Sequence, residues 1–179
     1  MILERDWIAL IGTVPSQRAA DALTSFARAV SASPDPAIDD QLAIDSSGSS
    51  APAVRLVEIP SIRFADGSAE ILPRQQQRLD QIALVLNATP NVSVTVVGHT
   101  DQRGDAESNI LLSQMRAQAV VAYLAGHGVA GGRLSTLGRG EADLLSASDD
   151  ATSMELNRRI EFVVFGLFEQ PATDGTVAP

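Results

Sequence analysis

Apolar and polar positions along the chain fall into short alternating blocks. Trp7–Ile11 is an apolar run closed by Gly12 and reads as a strand. Thr13-Val14-Pro15-Ser16 is turn-like, with Ser16 as a helix N-cap. Beyond it Leu23, Phe26, Ala27 and Val30 fall at i, i+3, i+4 and i+7, one stripe of an amphipathic helix. Ser33-Pro34-Asp35-Pro36 stops that helix, and Leu42 and Ile44 alternate as a short strand. Residues 1–45 therefore form a β-α-β unit. It is too small to bury enough surface alone and must pack on other parts of a domain.

Ser46–Ala53 reads SSGSSAPA, a flexible linker composition, and 169–179 reads as a frayed, disordered tail. The segment between them, 54–168, has about 115 residues, the size of one independent core. Within it Val54–Phe64 reads as a strand, with Pro60 marking a bend. Leu79, Ile82, Ala83 and Leu86 mark a helix from about Arg74 to Asn87, with Pro73 in its first turn. Val92, Val94 and Val96 belong to a β-branched strand buried on both faces. A longer helix spans about Asp105 to Ala125 and stops at Gly126 and Gly128. Leu134–Leu137 is a short strand ahead of Gly138, and Arg159–Phe165 closes with Ile160, Phe162 and Val164 on one face. This succession predicts an α/β (α+β) sandwich, a mixed sheet covered by helices on one face.

Composition narrows the function classes. Of 179 residues 45% are apolar, so a packed core is expected. The 13 basic residues, all arginine, face 22 acidic ones, for a net charge of −9. That balance excludes nonspecific nucleic-acid binding, which depends on neutralising phosphates. It leaves room for a small basic pocket. With no cysteine and two histidines, His99 and His127, disulfide scaffolds, thiol nucleophiles and Cys/His zinc sites are excluded. No run approaches the roughly 18 apolar residues of a membrane span. Met-Ile-Leu-Glu-Arg-Asp lacks the features of a secretory signal, so either the protein is cytoplasmic or a leader precedes this chain.

Candidate chemistry gathers at the end of the 92–97 strand, where Gly98-His99-Thr100-Asp101 leads through a polar loop into the long helix. Ligands of such sheets sit beyond the strands' carboxyl ends. On the helix Asn109, Ser113 and Arg116 share a face, opposite an expected core stripe of Leu112, Met115, Ala119 and Tyr123. His99 reads as a structural strand-end residue, with no triad around it. His127 reads as a cap for helix-end carbonyls, and Gly138-x-Gly140 as a turn.

The run "GHTDQRGDAESNILLSQMRAQAVVAYLAGHGV", with "RFADGSAEI" before it and "GRGEAD" and "NRRIEFVV" after it, resembles the OmpA-like peptidoglycan-binding domain over residues 54–166. The matching positions include Gly98, His99, Thr100, Asp101, Gly104, Asn109, Leu112, Ser113, Arg116, Ala117 and the Asn157-Arg158-Arg159 triplet. The resemblance implies a non-enzymatic module, without cofactor or metal, that binds the diaminopimelate of the peptidoglycan stem peptide. Asp101 would accept from the ligand's ammonium and Arg116 would clamp its carboxylate. Asn109, Arg158, Thr100 and Gly67 complete the implied binding set. Gly67 stands where the family often carries Asn or Asp, and Leu144 where it often carries Pro. Read from spacing, Asp101 and Arg116 equally suit a structural ion pair, and Asn157 and Arg158 suit bonds to loop carbonyls.

Residues 4–45 resemble the second half of a BON repeat, a module of bacterial envelope proteins linked to phospholipid or partner binding. A membrane or envelope-protein partner for that segment follows. The implied setting is the periplasm or cell envelope, with a leader or anchor outside this chain. Two alternatives stand beside wall binding. One is the wall-anchoring part of a flagellar stator or secretion machine. The other is an enzyme acting on peptidoglycan, disfavoured because no nucleophile, metal set or carboxylate pair assembles.

Overall fold

The computed structural model describes residues 7–14, 16–30, 37–44, 53–59, 62, 64–65 and 67–165. The expected tail at 169–179 and linker residues 46–52 lie outside these. Among the described residues there are six strands: β1 (Trp7–Val14), β2 (Ala37–Ile44), β3 (Ala53–Ile59), β4 (Ser93–His99), β5 (Leu134–Gly140) and β6 (Ile160–Phe165). Four helices accompany them: α1 (Gln17–Val30), α2 (Pro73–Ala88), α3 (Ala106–Gly126) and α4 (Ala151–Asn157).

The strands form one sheet in the order β2-β1-β3-β6-β4-β5. The outer pairs β1–β2 and β4–β5 are parallel, and the inner pairings are antiparallel. Parallel neighbours need a crossover, and α1 and α3 supply the two. Helix α2 packs against both, so all three cover the same face. That is the mixed sheet under one helical layer expected from the sequence.

The core lies between sheet and helices. Val94 and Val96 stand opposite Val164 and Phe162, and all four are buried. Leu79, Ile82 and Leu86 descend from α2, and Ala117, Val120 and Leu124 from α3. The helix ends are held in place by polar contacts. Arg133 donates to the carbonyls of Leu86, Thr89 and Val92 at 2.8, 2.8 and 2.6 Å, closing the C-terminus of α2. Asp105 caps α3 through the Ser108 amide, and His127 closes it, its ring 2.7 Å from the Tyr123 carbonyl and stacked on the Tyr123 ring.

Several boundaries differ from the sequence reading. Ala53, placed in the linker, begins β3, and β3 ends at Ile59 rather than at Phe64, which instead bridges Ile71 across a short loop. The β1 strand runs through Gly12 to Val14, and β2 begins at Ala37. Helix α4, which has no long apolar stripe, was not expected. Asp150 caps it by accepting from the Ser153 amide and hydroxyl. Nor does the sheet break between the two pieces. β1 pairs with β3 from Trp7↔Ile59 to Gly12↔Val54, and Ile8, Leu10 and Leu23 join the same buried cluster as Leu79 and Leu86.

Glycines set the closeness of α3 to the sheet. A Cβ on Gly98 would collide with the Ser113 carbonyl, and one on Gly138 would lie 2.6 Å from the Gln114 nitrogen and 2.7 Å from the Ile110 oxygen. The Gly138-x-Gly140 pair is thus the end of β5, not a free turn. Arg139 is the extra residue of a bulge between the pairs Gly98↔Gly138 and His99↔Gly140, and Gly140 takes a positive φ of 54°.

Two predictions follow from this packing. Gly98→Ala should lower the melting temperature by about 3–10 °C, the cost of overpacking a tight contact. Gly126→Ala, with open space around it, should leave the melt unchanged or slightly raised. We also propose that residues 53–165 form a folding unit of their own. Expressed alone they should melt cooperatively by circular dichroism, at a lower temperature than the whole chain because the β3 edge is uncovered. A fragment without a cooperative melt would place residues 7–44 in the same folding unit.

Candidate functional site

At the carboxyl end of β4 the chain leaves the sheet at Thr100. Its amide donates to the Gly140 carbonyl at 2.9 Å, tying the start of the loop to the bulge in β5. A cavity of about 310 Å³ opens there, lined by Gly67, Thr100, Asp101, Asn109, Arg116 and Arg158, together with Arg103, Gly104 and Leu112. The six residues named from the sequence as the binding set all line that cavity.

Helix α3 supplies the floor. Asn109, Ser113 and Arg116 are buried, and so are Ala117, Val120 and Leu124. The polar residues therefore extend the core stripe instead of opposing it. The expected core stripe was misplaced: Met115 is 48% exposed, and Leu112, Ala119 and Tyr123 are half-buried. A helix with polar groups on its buried stripe gives no clean amphipathic signal, which is why sequence periodicity chose the wrong face.

Each buried polar group on α3 has partners. The Ser113 hydroxyl donates to the Ile110 carbonyl at 2.8 Å and accepts from the Gly140 amide at 2.9 Å. The Asn109 amide donates to the Arg103 carbonyl at 3.0 Å and to Glu141 Oε2 at 2.7 Å. It thereby staples the 101–105 loop to the residue after the Gly138-x-Gly140 bulge. The Arg116 guanidinium donates to the carbonyls of Ser68 at 2.9 Å and Ala65 at 3.4 Å, and lies 5.2 Å from the Phe64 ring centre. It holds the loop that carries Gly67, whose φ of +62° suits glycine and whose Cβ direction is open.

Asp101 is the electrostatic centre. It is 4% exposed. Its Oδ1 accepts from the Arg103 amide at 3.1 Å and Nε at 3.2 Å; its Oδ2 accepts from Arg103 Nη2 at 2.9 Å and Arg158 Nη1 at 2.8 Å. Burial pushes its carboxyl up, but the hydrogen bonds from Arg103 and Arg158 outweigh that and hold it down at about 2. Asp101 and Arg116 face one cavity without bonding to each other in any described contact, so the structural ion-pair reading gives way to pairing with Arg103 and Arg158. Sequence reasoning missed Arg103 and Glu141. Arg103 lies two residues after Asp101 in a polar loop, a spacing that carries no signal until the loop turns back.

Asn157 is structural, accepting from the Leu145 and Ser146 amides at 2.8 and 3.2 Å and donating to the Ser146 carbonyl at 2.7 Å. Gln102 reaches Asp149, which further ties the 101–105 loop to the segment before α4. Behind the cavity Arg159 and Glu161 form a fully buried pair at 2.6 Å, with His99 Nε2 3.5 Å from the same carboxylate oxygen. Burial lowers the His99 pKa, so the ring is neutral near pH 7.

The topology and this charged cavity define an OmpA-like α/β sandwich. The chain belongs to the OmpA family, whose model matches residues 63–158. It is 32% identical over 173 residues to the peptidoglycan-binding protein ArfA of Mycobacterium tuberculosis, covering 90% of this chain and 52% of ArfA. The chain thus spans about half the length of that relative. Among solved structures, the peptidoglycan-associated lipoprotein from Burkholderia pseudomallei superposes with a TM-score of 0.56 at 30% identity, covering 57% of this chain and 87% of that one. The cell wall anchor of the T6SS from Pseudomonas aeruginosa gives 0.55 at 31% identity, with 64% and 81% covered. The family match begins at residue 63, so the likeness of residues 4–45 to a BON half-repeat stands on the sequence alone.

The Asp101 carboxylate also carries a pH signature. A carboxyl held at about 2 when folded and near its ordinary value of about 3.9 when unfolded stabilises the fold above pH 4. That contribution is lost as pH falls from about 4 through 2. Asp101→Asn should melt below the parent at pH 6, and the gap should close as pH is lowered from about 4 to about 2, measured by thermal denaturation.

Proposed function

We propose that this protein binds peptidoglycan non-covalently through the diaminopimelate of the stem peptide, anchoring an envelope protein to the cell wall. The observation that carries the reading is the convergence of Asp101 and Arg116 on one cavity. The free end of diaminopimelate carries an ammonium and a carboxylate on one carbon. A carboxylate wall and a guanidinium wall select such a zwitterion over a singly charged ligand. The relatives add support: ArfA is named a peptidoglycan-binding protein, and the Burkholderia structure is of a peptidoglycan-associated lipoprotein. The likeness to ArfA runs over 90% of the chain, further than the likeness to the secretion-system anchor, and favours the ArfA-like reading over a machine component.

The occupancy of Asp101 shapes how the ligand enters. An ionised carboxylate offers roughly four lone-pair sites, and Arg103 and Arg158 already fill them. Arg158 is the less exposed of the two guanidinium groups, and the Arg103 side chain is 53% exposed. The entering ammonium takes the place of the Arg103 guanidinium, which swings to solvent, while Arg158 stays. Arg116, which pins the Gly67 loop, receives the carboxylate. In this account Asn109 positions the loop through Arg103 and Glu141, and Thr100 and Gly67 shape the opposing wall. No step makes or breaks a covalent bond.

Binding to purified sacculi, read by co-sedimentation, tests the assignment. Asp101→Ala and Arg116→Ala should each weaken binding about tenfold or more, the worth of a charge-assisted hydrogen bond. Arg116→Lys should lose much of it, lacking the paired geometry. Gly67→Asn should bind equally or better, since Asn tolerates a positive φ. Arg103→Ala should bind about threefold to fivefold tighter, because the ligand no longer competes with a partly exposed ion pair worth up to about 1 kcal/mol. Folded Asp101→Ala and Arg116→Ala proteins that bind sacculi like the parent would overturn the site.

A further inference from the structure

Beside the first cavity lies a second of about 140 Å³, whose lining includes Arg74, Arg116, Arg158, Arg159, His99 and Glu155. Arg116 and Arg158 line both, so the two cavities share a wall. Four of the chain's 13 basic side chains meet here, in a protein of net charge −9. Arg158 is matched by Asp101 and Arg159 by Glu161. Arg74, in the first turn of α2, is exposed and has no ion pair among the described contacts. The cavity is thus lined by more positive than negative charge and is sized for a small ionised group.

His99 adds an independent sign. It is 1% exposed and lines this cavity; its Nε2 faces Glu161 Oε1 at 3.5 Å, while its Nδ1 has no hydrogen-bond partner among the described residues. Buried polar atoms are ordinarily satisfied. A polar group bound in the cavity would supply the partner that Nδ1 lacks.

We propose that this cavity takes an oxyanion, the next carboxylate of the same stem peptide whose zwitterionic end enters the first cavity; the proposal rests on the peptidoglycan reading above. A γ-linked glutamate preceding diaminopimelate keeps its α-carboxylate free, so such a peptide presents a second anion close to the first. The shared guanidinium wall matches a ligand with two neighbouring anionic groups. A lone inorganic phosphate has the same oxyanion chemistry without the link.

Calorimetric titration of the full chain tests this with three probes: meso-diaminopimelate, the tripeptide L-Ala-γ-D-Glu-meso-diaminopimelate, and inorganic phosphate. The parent should bind the tripeptide about tenfold tighter than the free amino acid, the worth of one further charge-assisted hydrogen bond. Arg74→Gln should remove most of that gain and leave diaminopimelate binding within about twofold of the parent, the margin set by charge screening at an exposed site. An unchanged tripeptide preference in Arg74→Gln, or an equal loss for both ligands, overturns the proposal. If Arg74→Gln abolishes phosphate binding while the tripeptide preference persists, the cavity holds a free anion and the stem-peptide assignment is wrong. If the parent binds neither peptidoglycan probe, the peptidoglycan reading fails and the stem-peptide assignment with it. Arg74-dependent phosphate binding would then still mark an oxyanion site.

Discussion

The close approach of α3 to the β4–β5 pair is the constraint on which the site depends. It exists because Gly98, Gly138 and Gly140 have no side chains where the helix backbone passes. With α3 pressed against the strands, the Ser113 hydroxyl reaches the Gly140 amide and the Asn109 amide reaches Glu141. The same contact sets Arg116 deep enough to hold the 64–68 loop by its carbonyls. A wider gap would leave three polar side chains buried without partners, a cost of about 1–3 kcal/mol for each. The glycines and the polar stripe of α3 are therefore one device.

The electrostatics of the cavity rest on a second economy. Asp101 is buried, and burial alone would favour its neutral form; two guanidinium groups keep it charged. One of them, Arg158, lies beside the buried Arg159–Glu161 pair, two residues before β6. The other, Arg103, sits on a loop and is largely in water. The carboxylate is thus held by one part-buried and one more exposed guanidinium. Its charge is in place before anything enters the cavity, and preorganised charge lowers the reorganisation that binding requires.

Much of this was legible in the sequence, for particular physical reasons. Val94–Val97 and Ile160–Val164 carry strand-like β-branching and alternation, and α2 carries a clear i, i+3, i+4 stripe; each formed where expected, save that Val92 lies just ahead of β4. The six candidate binding residues are brought into one cavity because ordered motifs, not single residues, placed them. What was not legible is equally specific. The stripe of α3 was assigned to the wrong face, because Asn109, Ser113 and Arg116 are polar yet buried, and periodicity assumes the opposite. The Gly138-x-Gly140 pair read as a turn, because clearance for a helix leaves no trace in composition. The pairing of Arg103 with Asp101, and of Glu141 with Asn109, depends on loops doubling back, which no local pattern encodes.

The two flanks of the sheet show how little of the candidate site resides in the fold itself. β1-α1-β2 and β4-α3-β5 are both parallel β-α-β units, at opposite ends of one sheet and under one helical layer. The buried residues described on α1 are Ala20, Leu23 and Ala27, all apolar. On α3 the corresponding stripe runs through an amide, a hydroxyl and a guanidinium before turning apolar at Ala117. The same supersecondary frame is thus packing on one flank and a charged cavity on the other, and the difference lies in three side chains on the buried stripe and three glycines beneath them. The charge of the candidate site is a property of the helix stripe and the clearance under it, not of the β-α-β frame that both flanks share.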